Sequence, residues 1–201
     1  MHTVDLLASH ARAVRATVPL VARVLPPDLS LPTPCAEWDL GHLLAHMTAQ
    51  HRGFAAAAAG RGGDLDIWRP QALGDDPGRE YAQAAESVIA AFAEPDVLDR
   101  DLLLPEITST PIPGRLVIGF HLVDYVVHGW DVARTLGIPY ELPPDVLAVA
   151  LPIAEAVPDG ETRLTPDAAF APRLPDPGED PLDRILALLG RDPGKNVVPR
   201  R

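Results

Sequence analysis

Cysteine is almost missing from this chain: Cys35 is the only one in 201 residues. No intrachain disulfide can form, and no cysteine-based zinc finger can be built. Basic residues are few, 17 Lys+Arg against 28 Asp+Glu, giving a formal net charge of -11. Phosphate neutralisation needs clustered Lys/Arg, so the balance argues against nucleic acid as a partner. It argues equally against an electrostatic anchor on anionic lipid. Long apolar runs are also lacking. No stretch approaches the ~20 residues that span a bilayer. The N-terminal Met1 to Leu25 is interrupted by Asp5, Arg12, Arg15 and Arg23, which is no signal-peptide core. The expectation is a soluble, cytoplasmic protein. Aromatics make up only 5 %, yet apolar residues reach 47 %. That fraction belongs to a globular chain, and the length to one compact domain or one domain with a small appendage.

What is present is helical periodicity. Val4, Leu7, Ala8, Ala11, Val14, Val18, Val21 and Leu25 recur at three- and four-residue spacing, predicting a first helix over Val4 to Leu25, kinked at Pro19. A second helix is predicted from about Glu37 to Ala59 and stopped by Gly60, Gly62 and Gly63. Residues 61 to 77 read as a loop. A third helix covers Gly78 to Ala93, and residues 95 to 113 read as an extended connection. A fourth runs from about Gly114 to Leu136 and ends on Gly137 followed by Pro139, a Gly-then-Pro stop. A fifth, shorter helix is expected over Pro144 to Ala156, with a late patch at Leu182 to Leu189 and a disordered tail from Arg191. Strand–helix alternation is absent, so the fold class is all-α, a four-helix bundle with short extra C-terminal helices. The predicted division is a bundle over 1–157 and a Pro-rich extension over 158–201 that packs on it.

Five of the seven histidines fall on two predicted helices. His42, His46 and His51 lie on the second; His121 and His128 lie on the fourth, with Asp124 between them. At 100° per residue, His42 and His46 fall within about 40° of one another. Asp124 and His128 are one turn apart, and His121 lies within about 60° of Asp124. This polar stripe runs through Phe120, Val123, Val126 and Val127, so its members need partners in a buried setting. A metal ion satisfies several at once. Two facing helices offering imidazoles and a carboxylate leave coordination positions open, the pattern of catalytic sites. His51, five residues past His46, is expected to be solvated. Asp131 and Arg134 read as a helix-surface pair. Cys35, in the turn before a helix, is expected to have a lowered pKa that would suit a redox or ligand role, but a small buried filler is the favoured reading. Arg115 opens a helix where a cation is unfavourable, a hint of a partner or ligand.

These residues resemble the DinB-like superfamily, and in particular the mycothiol-dependent maleylpyruvate isomerase-like metal-binding proteins of actinobacterial type. The matching stretches are Thr33-Pro34-Cys35-Ala36-Glu37-Trp38-Asp39, Leu43-Leu44-Ala45-His46-Met47, Asp124 through Arg134, and Leu186 through Pro193. The resemblance covers roughly residues 3 to 193. It implies a DinB-like four-helix bundle holding a divalent metal, commonly zinc or nickel, on His46, Asp124 and His128. The isomerase has Glu at the position of Asp124. The resemblance further implies mycothiol or a related thiol as cofactor, a small-molecule substrate, and a homodimer through bundle faces. The isomerase carries a further C-terminal domain that contributes to catalysis. Only residues 159–201 follow Pro158, too few to form that domain in full, so the expectation is that maleylpyruvate isomerisation is not inherited while the metal site is.

Three functions compete at this stage. One is a metal-dependent thiol transferase or isomerase acting on a small electrophile. The second is a metal-dependent hydrolase, with His121 or His42 as proton shuttle. The third is a non-catalytic protein whose metal ties two helices together, with His42 or His121 as fourth ligand. Arg134 and Trp130 are candidates for contacting substrate or cofactor.

Overall fold

A computed structural model describes residues 3–35, 38–165, 168–175 and 178–194. Ala36 and Glu37 of the first motif, and the tail beyond Gly194, lie outside the described residues. Among the described residues seven α-helices follow in chain order: α1 (Thr3–Val21), α2 (Leu40–Ala58), α3 (Leu65–Trp68), α4 (Pro77–Phe92), α5 (Gly114–Leu136), α6 (Pro144–Ala156) and α7 (Pro181–Leu188). The only strands among the described residues are β1 (Asp101–Leu102) and β2 (Ile112–Pro113), paired antiparallel at the foot of α5.

The long helices α1, α2, α4 and α5 form the bundle. α1 packs on α4 and α5, and α2 packs on the same two, so α1 and α2 face each other across the diagonal. On α1 the residues Leu6, His10, Ala13, Val14, Thr17, Leu20 and Val21 are buried, a stripe of three- and four-residue steps. α6 lies against α1 and α5, and α7 lies against α6. Ile185, Leu186 and Leu189 enter the same core cluster as Val117, Ile118, Leu122 and Val146.

Local chemistry sets the helix ends. α2 starts at Leu40, three residues later than predicted, because the Asp39 side chain caps it by accepting the His42 N–H at 2.8 Å. α1 stops at Val21, two residues beyond Pro19 and short of the expected Leu25. α5 ends at Gly137 with φ 66°, where Ile138 N–H reaches Ala133 O at 3.0 Å. That left-handed terminus is the stop its Gly and Pro predicted. The stretch 61–77, read as a loop, contains α3, because Trp68 plugs into the bundle and donates Nε1–H to Gly62 O at 2.8 Å. Arg191, expected to begin a disordered tail, is buried and bonded to α5.

Candidate metal centre

Antiparallel α2 and α5 bring His46 level with Asp124 and His128. One ligand atom from each lies within 4.8 Å of the other two. Asp124 Oδ1 is 3.3 Å from His128 Nε2, and the His46 and His128 rings stand edge to face at 5.5 Å. The Trp38 ring flanks His46 at 4.8 Å. The Asp124 side chain is 21 % exposed against 3 % for His128, so the cluster opens to solvent on the Asp124 side and is closed behind His128.

Behind His128 a second set of groups converges. Asp131, fully buried, places Oδ2 3.0 Å from His128 Nδ1. Arg191, reaching in from the segment after α7, donates Nε–H to Asp131 Oδ1 at 3.0 Å and Nη2–H to Oδ2 at 3.2 Å. The ligand atom of Cys35 lies within 4.8 Å of those of His128 and Asp131. Asp131 therefore serves His128 and Arg191, not the surface pair with Arg134 that its spacing suggested. Arg134 instead lies over the Trp130 ring at 5.8 Å and donates to Pro193 O at 3.1 Å.

The electrostatics follow from this enclosure. Burial and the neighbouring His128 push the His46 pKa down to about 4, so His46 is a neutral imidazole with a lone pair to give. Burial opposes charge on Asp124, but His128, His46 and Arg191 outweigh it and hold the carboxyl below its ordinary range. Burial likewise opposes charge on His128, yet Asp124 and Asp131 on its two sides raise its pKa well above the usual value. Cys35 departs from expectation. Burial pushes its thiol up, and the opposing pull of His128 and Arg191 does not reverse this.

Other candidates lie elsewhere. His42 sits exposed in the first turn of α2, its Nδ1 2.7 Å from Asp39 Oδ1. His121 is sealed in the core one turn from Asp124, where it meets His10 Nε2 through Nδ1 at 2.9 Å and His51 Nδ1 through Nε2 at 3.3 Å. His51, predicted to be solvated, is thus fully buried and stacked on Tyr125. Neither His42 nor His121 joins the cluster of ligating atoms. Arg115 pairs with Asp99, which accounts for a cation at the start of α5. The reading of the sequence missed Asp131, Arg191 and His10 as partners. Asp131 carried a signal, since 124, 128 and 131 follow a single face of α5. Arg191 carried only its place in the matching stretch Leu186 to Pro193, which names no partner, because its contact is set by tertiary packing.

A helical bundle that brings His46, Asp124 and His128 together from two facing helices defines an all-α bundle of the DinB-like class. The profile of the mycothiol maleylpyruvate isomerase N-terminal domain family matches residues 10–133, and this chain belongs to that family. The solved structure of the mycothiol-dependent maleylpyruvate isomerase superposes with a TM-score of 0.54 at 12 % identity, over 74 % of this chain and 68 % of that one. At that identity the match speaks for the all-α fold alone. An uncharacterized protein of Mycobacterium tuberculosis, present in two strains, is 31 % identical over 188 residues, covering 93 % of this chain and 98 % of its own length. Among the described residues no helix is long and apolar enough to cross a membrane.

Proposed function

We propose that this protein binds one divalent metal ion through His46, Asp124 and His128 and uses it to engage a low-molecular-weight thiol, mycothiol or a relative, in transfer to or isomerisation of a small electrophile. The observation that carries the reading is the convergence of three ligating atoms within 4.8 Å, with no further histidine, cysteine or acidic ligand in that group among the described residues. The donor set fits a first-row divalent ion: two imidazoles and one carboxylate. A three-ligand set keeps a position for an exogenous ligand. When bound, such an ion supplies Lewis acidity and lowers the pKa of a coordinated thiol.

The chain's own residues do the rest. His46 arrives already neutral, so no proton has to leave it at pH 7. Asp131 accepts from His128 Nδ1–H and turns Nε2 toward Asp124 and His46, the outer-carboxylate arrangement that fixes a ligating histidine. The partial exposure of Asp124 leaves the way in on its side. The closed, purely structural reading needs a fourth protein ligand, and its two candidates are elsewhere: His42 on the surface and His121 in the core.

Metal content by mass spectrometry, on wild type and on His46→Ala and His128→Ala, tests the ligand set. About one ion per chain, lost in both variants, is expected. Titration of the Co(II)-substituted protein with mycothiol then tests the thiol. A ligand-field spectrum unmoved by saturating thiol would refute thiol use and leave the hydrolase reading.

A further inference from the structure

His128 presents two nitrogens to two different sets of ligand-type groups. Its Nε2 faces Asp124 Oδ1 at 3.3 Å, in the group that includes His46; its Nδ1 faces Asp131 Oδ2 at 3.0 Å, in the group that includes Cys35. Each set, taken with His128, is a three-residue group of metal-binding chemistry within 4.8 Å. A neutral imidazole offers one lone pair, and its other nitrogen carries the proton. The two sets are therefore alternatives, and something decides between them.

We propose that Arg191 makes that decision: its guanidinium is the resident cation of the Cys35–His128–Asp131 group and confines a metal ion to Nε2. Arg191 is 4 % exposed and lies against both oxygens of Asp131, at 3.0 Å to Oδ1 and at 3.2 and 3.3 Å to Oδ2. Its fixed charge neutralises the carboxylate that a second cation would need. Asp131 is left with one job, to accept from His128 Nδ1–H, and that hydrogen bond keeps the lone pair on Nε2. Arg191 is held in turn by its own segment, because Arg134 on α5 grips Pro193 O two residues further on. The thiol of Cys35, close to His128 and Asp131, then stays a buried, protonated filler. Without Arg191, Asp131 keeps an uncompensated charge, and the Nδ1 side becomes a thiolate-containing site. There a metal ion would take the place of two protons: that of the Cys35 S–H leaves to solvent, and that of His128 Nδ1 passes through solvent to Nε2. Arg191 is in this sense a positioning residue. The inference rests on the proposed metal binding and goes beyond it.

The test compares Co(II) spectra and affinities of wild type, R191M, R191K and the double variant R191M with C35S. Wild type is expected to bind one Co(II) with no near-ultraviolet thiolate-to-cobalt band. R191M is expected to lose about 10–100-fold in affinity at the native ligands and to gain a thiolate band that C35S abolishes. R191K, which keeps the charge, is expected to suppress the band. A band in wild type that C35S removes, or an R191M protein with wild-type spectrum and affinity, overturns the inference while sparing metal binding itself. Should R191M fail to fold, ¹⁵N NMR of zinc-loaded wild type decides the matter. A proton on His128 Nδ1 supports the inference, and a proton on Nε2 overturns it. A wild type that binds no ion at all refutes the proposed function and this inference with it.

Discussion

Asp131 Oδ2 lies 3.0 Å from Nδ1 of His128, three residues earlier on α5, and the carboxylate is fully buried. The arrangement couples one candidate ligand to a charge that never meets solvent. The carboxylate that fixes a ligating histidine is often worth 10–100-fold in metal affinity. Asp131→Asn keeps the shape and can still accept a hydrogen bond, but it loses the charge shared with Arg191. Metal affinity, measured by chelator competition, is expected to fall within about that range. Unchanged affinity would mean that Asp131 serves packing alone.

A second prediction concerns acid. His10, His121 and His51 form one buried chain of imidazoles that joins α1, α5 and α2. Burial lowers the His10 pKa to about 3 and lowers the other two well below the ordinary value. The unfolded chain takes up protons near pH 6.5, while the folded chain refuses them. Stability is therefore whole above about pH 6.5 and is lost as pH falls from there toward about 3, at about 1.4 kcal/mol per pH unit for each such histidine. His46, lowered to about 4, works in the same direction, and His128, raised, works against it. In urea titrations, His10→Leu is expected to cost about 1–3 kcal/mol at pH 7.5, because His121 Nδ1 loses its partner. The same variant is expected to lose less than wild type between pH 6.5 and 5. A variant with the full wild-type pH slope would show that His10 is not held neutral.

The bundle was legible because its helices are long and amphipathic and end on glycine and proline. His46, Asp124 and His128 were legible because two of them share a helical face and the family motif marks all three. The failures share a cause. His51 and His121 are polar residues on helix faces that periodicity alone would assign to water or to the site, and their real partners are remote: His51 meets His121, and His121 meets His10, 111 positions away. Arg191 sits in a segment rich in proline and charge, which composition reads as disordered. Its burial is repaid by a single carboxylate on α5, and no local pattern announces such a contact. Asp131 was misread for the opposite reason: a nearby arginine at i+3 offered a simpler partner than one sixty residues away.

The α2–α3 contact supplies a third prediction. A Cβ on Gly53 would collide with the ring of Trp68, which is 3 % exposed and packs edge-on against Phe54 at 5.4 Å. Gly53→Ala gains helix propensity in solvent but here overfills a closed space, so a cost of about 1–3 kcal/mol is expected. Thermal unfolding is the measurement. Combining G53A with W68F should cost less than the sum of the two single changes, because the smaller ring vacates the clash. Strict additivity would place the strain elsewhere.

The fourth prediction separates two arginines of the C-terminal segment. Arg163, 6 % exposed, gathers four backbone carbonyls: Pro158 O at 2.7 Å, Leu188 O at 2.8 Å, Ala171 O at 3.0 Å and Val157 O at 3.3 Å. It ties the end of α6 to the end of α7. Arg191, in the turn after α7, does the same kind of work for one carboxylate at the candidate metal centre. Arg163→Met strands four acceptors and is expected to cost about 3 kcal/mol in stability. Arg163→Lys should recover only part, since one ammonium cannot reproduce a planar fork. Metal affinity measured on the fraction still folded should change far less in R163M than in R191M. The reason is that Arg163 bears on backbone carbonyls and on the Asp159 carboxylate at 3.6 Å, all within its own segment, whereas Arg191 touches the carboxylate that orients His128. Equal losses in both variants would mean that the segment acts on the centre as one rigid piece rather than through the guanidinium of Arg191.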